Sequence, residues 1–215
     1  MININEYMLS KKNKKYTVNG IIAHNDDIKK IVKDEIERLG PTANLNHIDV
    51  SAVTDMSELF MCFDNGYPLY RYRYQLNPDI SEWDVSNVRF MINTFRDCDS
   101  FNCNIGKWDV SSVESMENMF CGCSNFNQPI GDWNVSSVTN MHCMFYEARH
   151  FNQDIGNWDV SNVENMNSML EGAWKFNQDL SRWDVSNVKG NTNCTLMFTK
   201  MDKEHNYSWF PKFNR

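Results

Sequence analysis

The sequence predicts an α/β repeat solenoid with a parallel sheet on one side, short helical turns on the other and a helical N-terminal cap. Three observations lead there. Tryptophans stand at 83, 108, 133, 158 and 183, a constant step of 25 residues. Each is followed by Asp or Asn, Val, Ser, a small polar residue and Val, as in Trp83-Asp84-Val85-Ser86-Asn87-Val88. Further apolar columns keep the same step: Met91, Met116, Met141 and Met166, then Phe95, Phe120, Phe145 and Leu170, then Phe101, Phe126, Phe151 and Phe176. A period in the twenties means one supersecondary unit stacked on copies of itself, because no single copy buries its apolar face alone.

Residues 1–45 read as an N-terminal hairpin and capping helix. Met1–Lys15 is polar and loosely ordered by composition, and Asn19-Gly20 between Tyr16-Thr17-Val18 and Ile21-Ile22 is a hairpin signal. Asn25-Asp26-Asp27 suits a helix N-terminus, where carboxylates face the positive end of the dipole. Ile28, Ile31, Val32, Ile36 and Leu39 then share one helical face, and Gly40-Pro41 stops the helix. Its expected place is over the open end of the stack.

The solenoid is expected over residues 46–198. Ile48-Asp49-Val50-Ser51-Ala52-Val53 is a degenerate first unit with Ile in the Trp column. The next match comes ten residues late, so an insertion lies at 61–75. In each full unit Ile80-x-x-Trp83-x-Val85 alternates as a short strand does. Ser86 ends it, and Val88, Met91, Thr94 and Phe95 follow at helical spacing. Ser111-x-x-Glu114 and Ser161-x-x-Glu164 read as capping boxes. The Asn after each Phe is placed to satisfy backbone groups of the next coil. The fifth unit departs after Val188: Lys189–Thr195 has no Met column, and Met197-Phe198 arrives late. Residues 199–215 then read as a C-terminal cap.

Composition narrows the functional classes. With 41% hydrophobic and 13% aromatic residues the chain folds. Its net charge of −7 is uneven, with eight Lys/Arg against six Asp/Glu in residues 1–45 and 13 against 22 beyond them. An acidic array disfavours direct nucleic-acid contact and favours a partner protein with a basic surface. No run of about 18 apolar residues suits a membrane span, and no secretory signal is read at the N-terminus. Seven cysteines without paired spacing suit a reducing compartment, so the expectation is a cytoplasmic protein.

The string Phe151-Asn152-Gln153-Asp154-Ile155-Gly156-Asn157-Trp158-Asp159-Val160-Ser161-Asn162-Val163 resembles the BspA-like repeats, divergent leucine-rich repeats common in mycoplasma lipoproteins and bacterial surface proteins. The resemblance covers roughly residues 43–198. It implies a curved, leucine-rich-repeat-like solenoid with no typical catalytic motif, and many members are implicated in adhesion or host binding.

Candidate partner-binding residues fall in three groups. The column Asp84, Asp109, Asn134, Asp159, Asp184 either caps the following turns or forms an acidic strip. Its neighbours Glu82, Lys107, Asp132, Asn157 and Arg182 vary from unit to unit, as a specialising surface does. In the insertion, Tyr67, Tyr70, Arg71, Tyr72, Arg73 and Tyr74 bring the residue types most enriched in binding hot spots. If extended, this segment places rings on one side and guanidinium groups on the other; packing of the tyrosines on the adjacent coil is the alternative. Cys121, Cys123, His142, Cys143 and His150 match no standard metal-ligand spacing, and Cys98 and Cys123 share a small-residue column with Ala148 and Ala173. No cofactor, metal or catalytic residue is expected. The reading is a non-catalytic protein-binding module using its strand face and the insertion. One alternative is an acidic inhibitor of phage or mobile-element type occluding a nucleic-acid-binding enzyme such as a defence nuclease. The other is a surface adhesin-like protein.

Overall fold

The computed structural model describes residues 16–17, 20–188 and 211. The expectations for Met1–Lys15, for the fifth unit beyond Val188 and for the C-terminal cap lie outside them, apart from buried Pro211. Strand β1 (Tyr16–Thr17) runs antiparallel to β2 (Gly20–Ile22), with Thr17 opposite Gly20. That register puts Gly20 inside the strand rather than at the turn. Strand β2 then runs parallel to β3 (Ile48–Asp49), so the hairpin adds one layer to the first repeat unit.

Between them lies α1 (Ile28–Leu39), which buries Ile28, Ile31, Val32 and Ile36 against the repeat core. Leu39, expected on the same face, is 45% exposed. Gly40 ends the helix at φ 100°, a conformation open to glycine and strained for side chains. The N-cap residue Asp27 makes no side-chain capping bond; its carboxylate accepts from the His24 backbone N–H at 2.9 Å. Asn25 has a different use. Its side-chain oxygen accepts from the backbone N–H groups of Thr54 (2.8 Å) and Asp55 (3.2 Å). In later units the equivalent donors reach a carbonyl of the preceding unit, Arg89 N–H to Thr54 O and Glu114 N–H to Arg89 O. The Asn25 amide thus stands in for a repeat that does not exist and satisfies the first edge of the ladder.

The units stack through parallel bridges joining Asp55, Phe90, Ser115, Asn140 and Asn165 in succession. At each junction alternate residues donate forward. Met91, Asn93, Phe95 and Asp97 give their N–H groups to the carbonyls of Ser115, Glu117, Met119 and Cys121 at 2.7–3.0 Å. Met116, Asn118, Phe120 and Gly122 repeat the pattern onto Asn140, His142, Met144 and Tyr146. The residues between them bond locally, Arg96 N–H to Asn93 O and Cys98 N–H to Phe95 O.

This ladder corrects two expectations. The stretch expected to be helical is a chain of tight turns, because every second N–H is committed to the next coil and cannot close an α-helical bond. Positive φ at Asn93 and Asp97, and at the equivalent Asn118 and Gly122, turns the backbone so that this is possible. Repeated three-residue turns present Val88, Met91 and Phe95 inward much as a helix would, so the apolar spacing alone did not separate the two. The segment Ile80–Val85, expected as a strand, has alternating burial but no ladder bonds; it turns at Ile80–Trp83 and again at Val85–Val88. The first expected capping box does not form: Ser111 folds back on Asp109, and Glu114 pairs with Arg89 of the preceding unit.

The core is a file of aromatic rings. Phe60, Phe95, Phe120 and Phe145 stack with centroids 5.2–5.6 Å apart. Phe101, Phe126, Phe151 and Phe176 form a second file at 5.8–6.1 Å, and the two files touch within a unit at 3.9–4.0 Å. In the repeat column each indole N–H donates to a carbonyl of the preceding unit: Trp83 to Leu45, Trp108 to Ile80, Trp133 to Ile105, Trp158 to Ile130 and Trp183 to Ile155, at 3.0–3.3 Å. An asparagine ladder runs alongside, in which Asn102, Asn127, Asn152 and Asn177 each donate backbone N–H to the side-chain oxygen of the Asn one unit earlier, at 2.8–2.9 Å.

Candidate functional site: an arginine–aromatic cleft beside the insertion

A repeat array carries its own record of which positions are constrained. The Trp, Asp/Asn, Val and Ser columns hardly change between units. The ladder segment does change, at Arg96, Cys121, Tyr146 and Glu171, and at Asp99, Ser124, Arg149 and Trp174. These variable columns meet the insertion around an open cleft of about 490 Å³, lined among others by Phe63, Arg73, Tyr74, Arg96, Tyr146 and Arg149.

The insertion reaches it by folding, not by extending. Tyr70–Tyr72 form a single 3₁₀ turn, so the expected sorting of rings and guanidinium groups onto two sides does not occur. Leu69 is buried and Tyr72 packs on the core, while Tyr70 is 39% and Tyr74 71% exposed. Arg71 turns away from the cleft, pairing with Glu37 of α1 at 3.0 Å and lying over the Tyr72 ring. Tyr67 lines a smaller hollow with Lys29, Lys33 and Glu58. Arg73 and Tyr74 alone of the insertion's candidates line the larger cleft.

Three guanidinium groups are held there against aromatic faces: Arg73 over Tyr74 at 5.4 Å, Arg96 over Phe63 at 4.2 Å and Arg149 over Trp174 at 4.8 Å. Carboxylates balance them. Arg73 Nε donates to Asp99 at 3.0 Å, and Arg149 Nε to Glu147 at 3.2 Å. Arg96 Nε approaches Asp97 at 3.5 Å. Burial pushes the Asp97 carboxyl upward despite the neighbouring Arg73 and Arg96. Burial also works against the charge on Arg73, but Asp99 and Asp97 outweigh it and hold that group more firmly protonated. Phe63, Arg96, Tyr146, Arg149 and Trp174 were not among the sequence candidates. For the four in the repeat units the signal was the one used for Glu82 and its neighbours, variation down a column, but that test was applied only beside the tryptophans; Phe63 lies in the insertion, where no column exists.

The acidic column lies elsewhere. Trp108 meets Phe95 across the core at 6.2 Å, so Asp109 and Arg96, each one residue along and turned away from the core, look out on opposite sides. Asp84, Asp109, Asp159 and Asp184 are exposed, and each accepts from the backbone N–H of the Ser two residues on. The Ser86, Ser111 and Ser161 hydroxyls donate to the same oxygens at 2.6–2.7 Å. The Ser hydrogen bonds, side-chain first, hold the Asp109 and Asp159 carboxyls below the usual carboxylate range. Glu82 and Asp132 are exposed beside this column.

Among the described residues no group of three or more His, Cys, Asp or Glu is placed to hold a metal ion. Cys143 Sγ lies 3.5 Å from His142 Nε2, but burial pushes its thiol to about 11, and that of Cys121 to about 12. Neither supplies much thiolate at neutral pH. Cys98 and Cys123 are fully buried, their thiols donating to the carbonyls of Phe60 and Phe95. Among the described residues no helix is long and apolar enough to cross a membrane.

No curated protein and no solved structure matches the chain. A family model described as "Mycoplasma protein of unknown function, DUF285" matches it twice, over residues 34–130 and 91–209. The matches overlap across the central units, as a repeat model does when it fits one array in two registers. Together they span most of the chain, which therefore belongs to this family of mycoplasma proteins.

Proposed function

We propose that the chain is a non-catalytic protein-binding module, a capped leucine-rich-repeat-like solenoid of the BspA-like kind, that recognises its partner at the arginine–aromatic cleft. The observation that carries this reading is the meeting of the variable ladder columns with the insertion at a single cleft. Constant columns are spent on stacking; the positions released from it are where a binding surface specialises. The types gathered there, Arg, Tyr, Trp and Phe, are those that supply interface anchors.

The test is capture from cell lysate by three forms of the full chain: wild type, a cleft variant (Tyr74→Ala, Trp174→Ala) and an opposite-face variant (Asp109→Asn, Asp159→Asn). The expected result is a partner retained by wild type and the opposite-face variant and lost by the cleft variant. Equal capture by all three overturns the reading. The acidic-inhibitor alternative is supported by the exposed Asp column, in which hydrogen bonds from Ser hold the Asp109, Asp159 and Asp184 carboxyls below the usual carboxylate range. It calls for the reverse pattern, with loss in the Asp variant and affinity that drops steeply with salt.

A further inference from the structure

Arg96 has donors it does not use. A guanidinium carries five N–H groups in a fixed planar fork. Among the described residues the Arg96 guanidinium has no close hydrogen bond, and its buried Nε has only the 3.5 Å approach of Asp97. The Phe63 ring at 4.2 Å holds the plane in place, so the fork is already oriented and loses little freedom when it binds. Arg149 is held in the same way by Trp174, its only donation among the described residues being Nε to Glu147. Both line the cleft, and the Phe63, Tyr74 and Trp174 rings beside them are 45%, 71% and 48% exposed.

We infer that the cleft accepts an acidic segment of a partner protein, with one carboxylate seated on Arg96 and Arg149 and an adjacent apolar side chain against the exposed rings. This rests on the proposed protein-binding role and names the chemistry of the partner at that site. The planar fork matches a carboxylate in two parallel hydrogen bonds. Asp97, Asp99 and Glu147 already balance the three arginines, so the cleft has room for a single added charge rather than a polyanion. The chain's net charge of −7 likewise turns nucleic acid away. A basic side chain would meet the guanidinium groups with like charge and find its natural partners, the three carboxylates, already engaged.

The test is isothermal titration of the full chain with three end-blocked hexapeptides that differ only at the centre: Phe-Glu, Phe-Gln and Phe-Lys. The Glu peptide is expected to bind at least about tenfold tighter than the Gln peptide, the gap set by two charge-assisted hydrogen bonds. Arg96→Met retains the packing on Phe63 and is expected to erase that preference. Arg149→Met, two units further along the array, is expected to reduce it and serves if the first variant unfolds. Asp109→Asn should leave it unchanged. Equal affinity for Glu and Gln, preference for Lys, no binding by any peptide, or a Glu preference that survives both Arg variants overturns the inference. If lysate capture still depends on Tyr74 and Trp174 while the peptides show no Glu preference, the carboxylate assignment falls and the binding role stands. If capture ignores the cleft variant, the binding role itself falls.

Discussion

The indole is the residue that couples one coil to the next. Its ring fills the core, and its N–H gives a second hydrogen bond to a carbonyl that already closes a turn of the preceding coil. Trp133→Ala removes both and should cost about 3–5 kcal/mol in urea unfolding. Trp133→Phe preserves most of the ring and removes one of the two donors to the Ile105 carbonyl, which keeps the Trp108 N–H, for a loss of about 0.5–1.5 kcal/mol. No loss in Trp133→Phe would mean that the hydrogen bond contributes nothing, and equal losses that the ring does not. The Asp–Ser turns make a separate prediction. Asp109 and Asp159 have folded-state pKa values below the unfolded value, so their contribution is complete above about pH 4 and is lost as pH falls through the folded value. Ser111→Ala should therefore destabilise at pH 6, and the gap from wild type should close as pH falls toward 2. Exposure keeps the effect small. A gap that widens in acid would reverse the assigned sign.

At the scale of the element, the close approach of successive coils just before each tryptophan explains why some glycines recur. A Cβ on Gly131 would stand 2.3 Å from the Asp154 carbonyl oxygen of the next coil, and Gly106 and Gly156 meet Pro129 and Asp179 in the same way. Since the obstacle is backbone, relief means prising two coils apart. Gly131→Ala should lose at least about 1–3 kcal/mol, as overpacking does, although Ala is otherwise the better-tolerated residue. The positive-φ column behaves differently. Gly122 and Gly172 alternate there with Asp97 and Glu147, which accept φ of 60° and 55° and place carboxylates beside the cleft arginines. Strain at these two positions accompanies the variable, cleft-lining part of the unit.

For the whole molecule, coupling only between neighbours means that length is adjustable in steps of one unit. Deleting residues 109–133 joins Trp108 to Asn134 and returns every column to register. That variant should fold cooperatively with a lower unfolding midpoint, whereas deletion of 109–128 should not fold, as circular dichroism and urea titration would show. Failure of the 25-residue deletion to fold would mean that the units are not interchangeable. Asn25 ends the ladder in place of a preceding unit, so Asn25→Ala should raise amide exchange at Thr54 and Asp55 while leaving Asn140 and Asn165 unchanged.

Period, core columns, the α1 face and the site of the insertion were all legible in the sequence, because burial of Trp, Val, Met and Phe is a matter of side-chain chemistry repeated at a fixed step. The insertion's Arg73 and Tyr74 were legible as well, from residue type alone. Whether Val88–Phe95 is a helix or a run of turns was not, since both present the same residues inward. Only the neighbouring coil, by taking every second N–H, decided it. That decision also chose the face on which Arg96, Arg149 and Trp174 gather, because side-chain direction follows from where the backbone hydrogen bonds go.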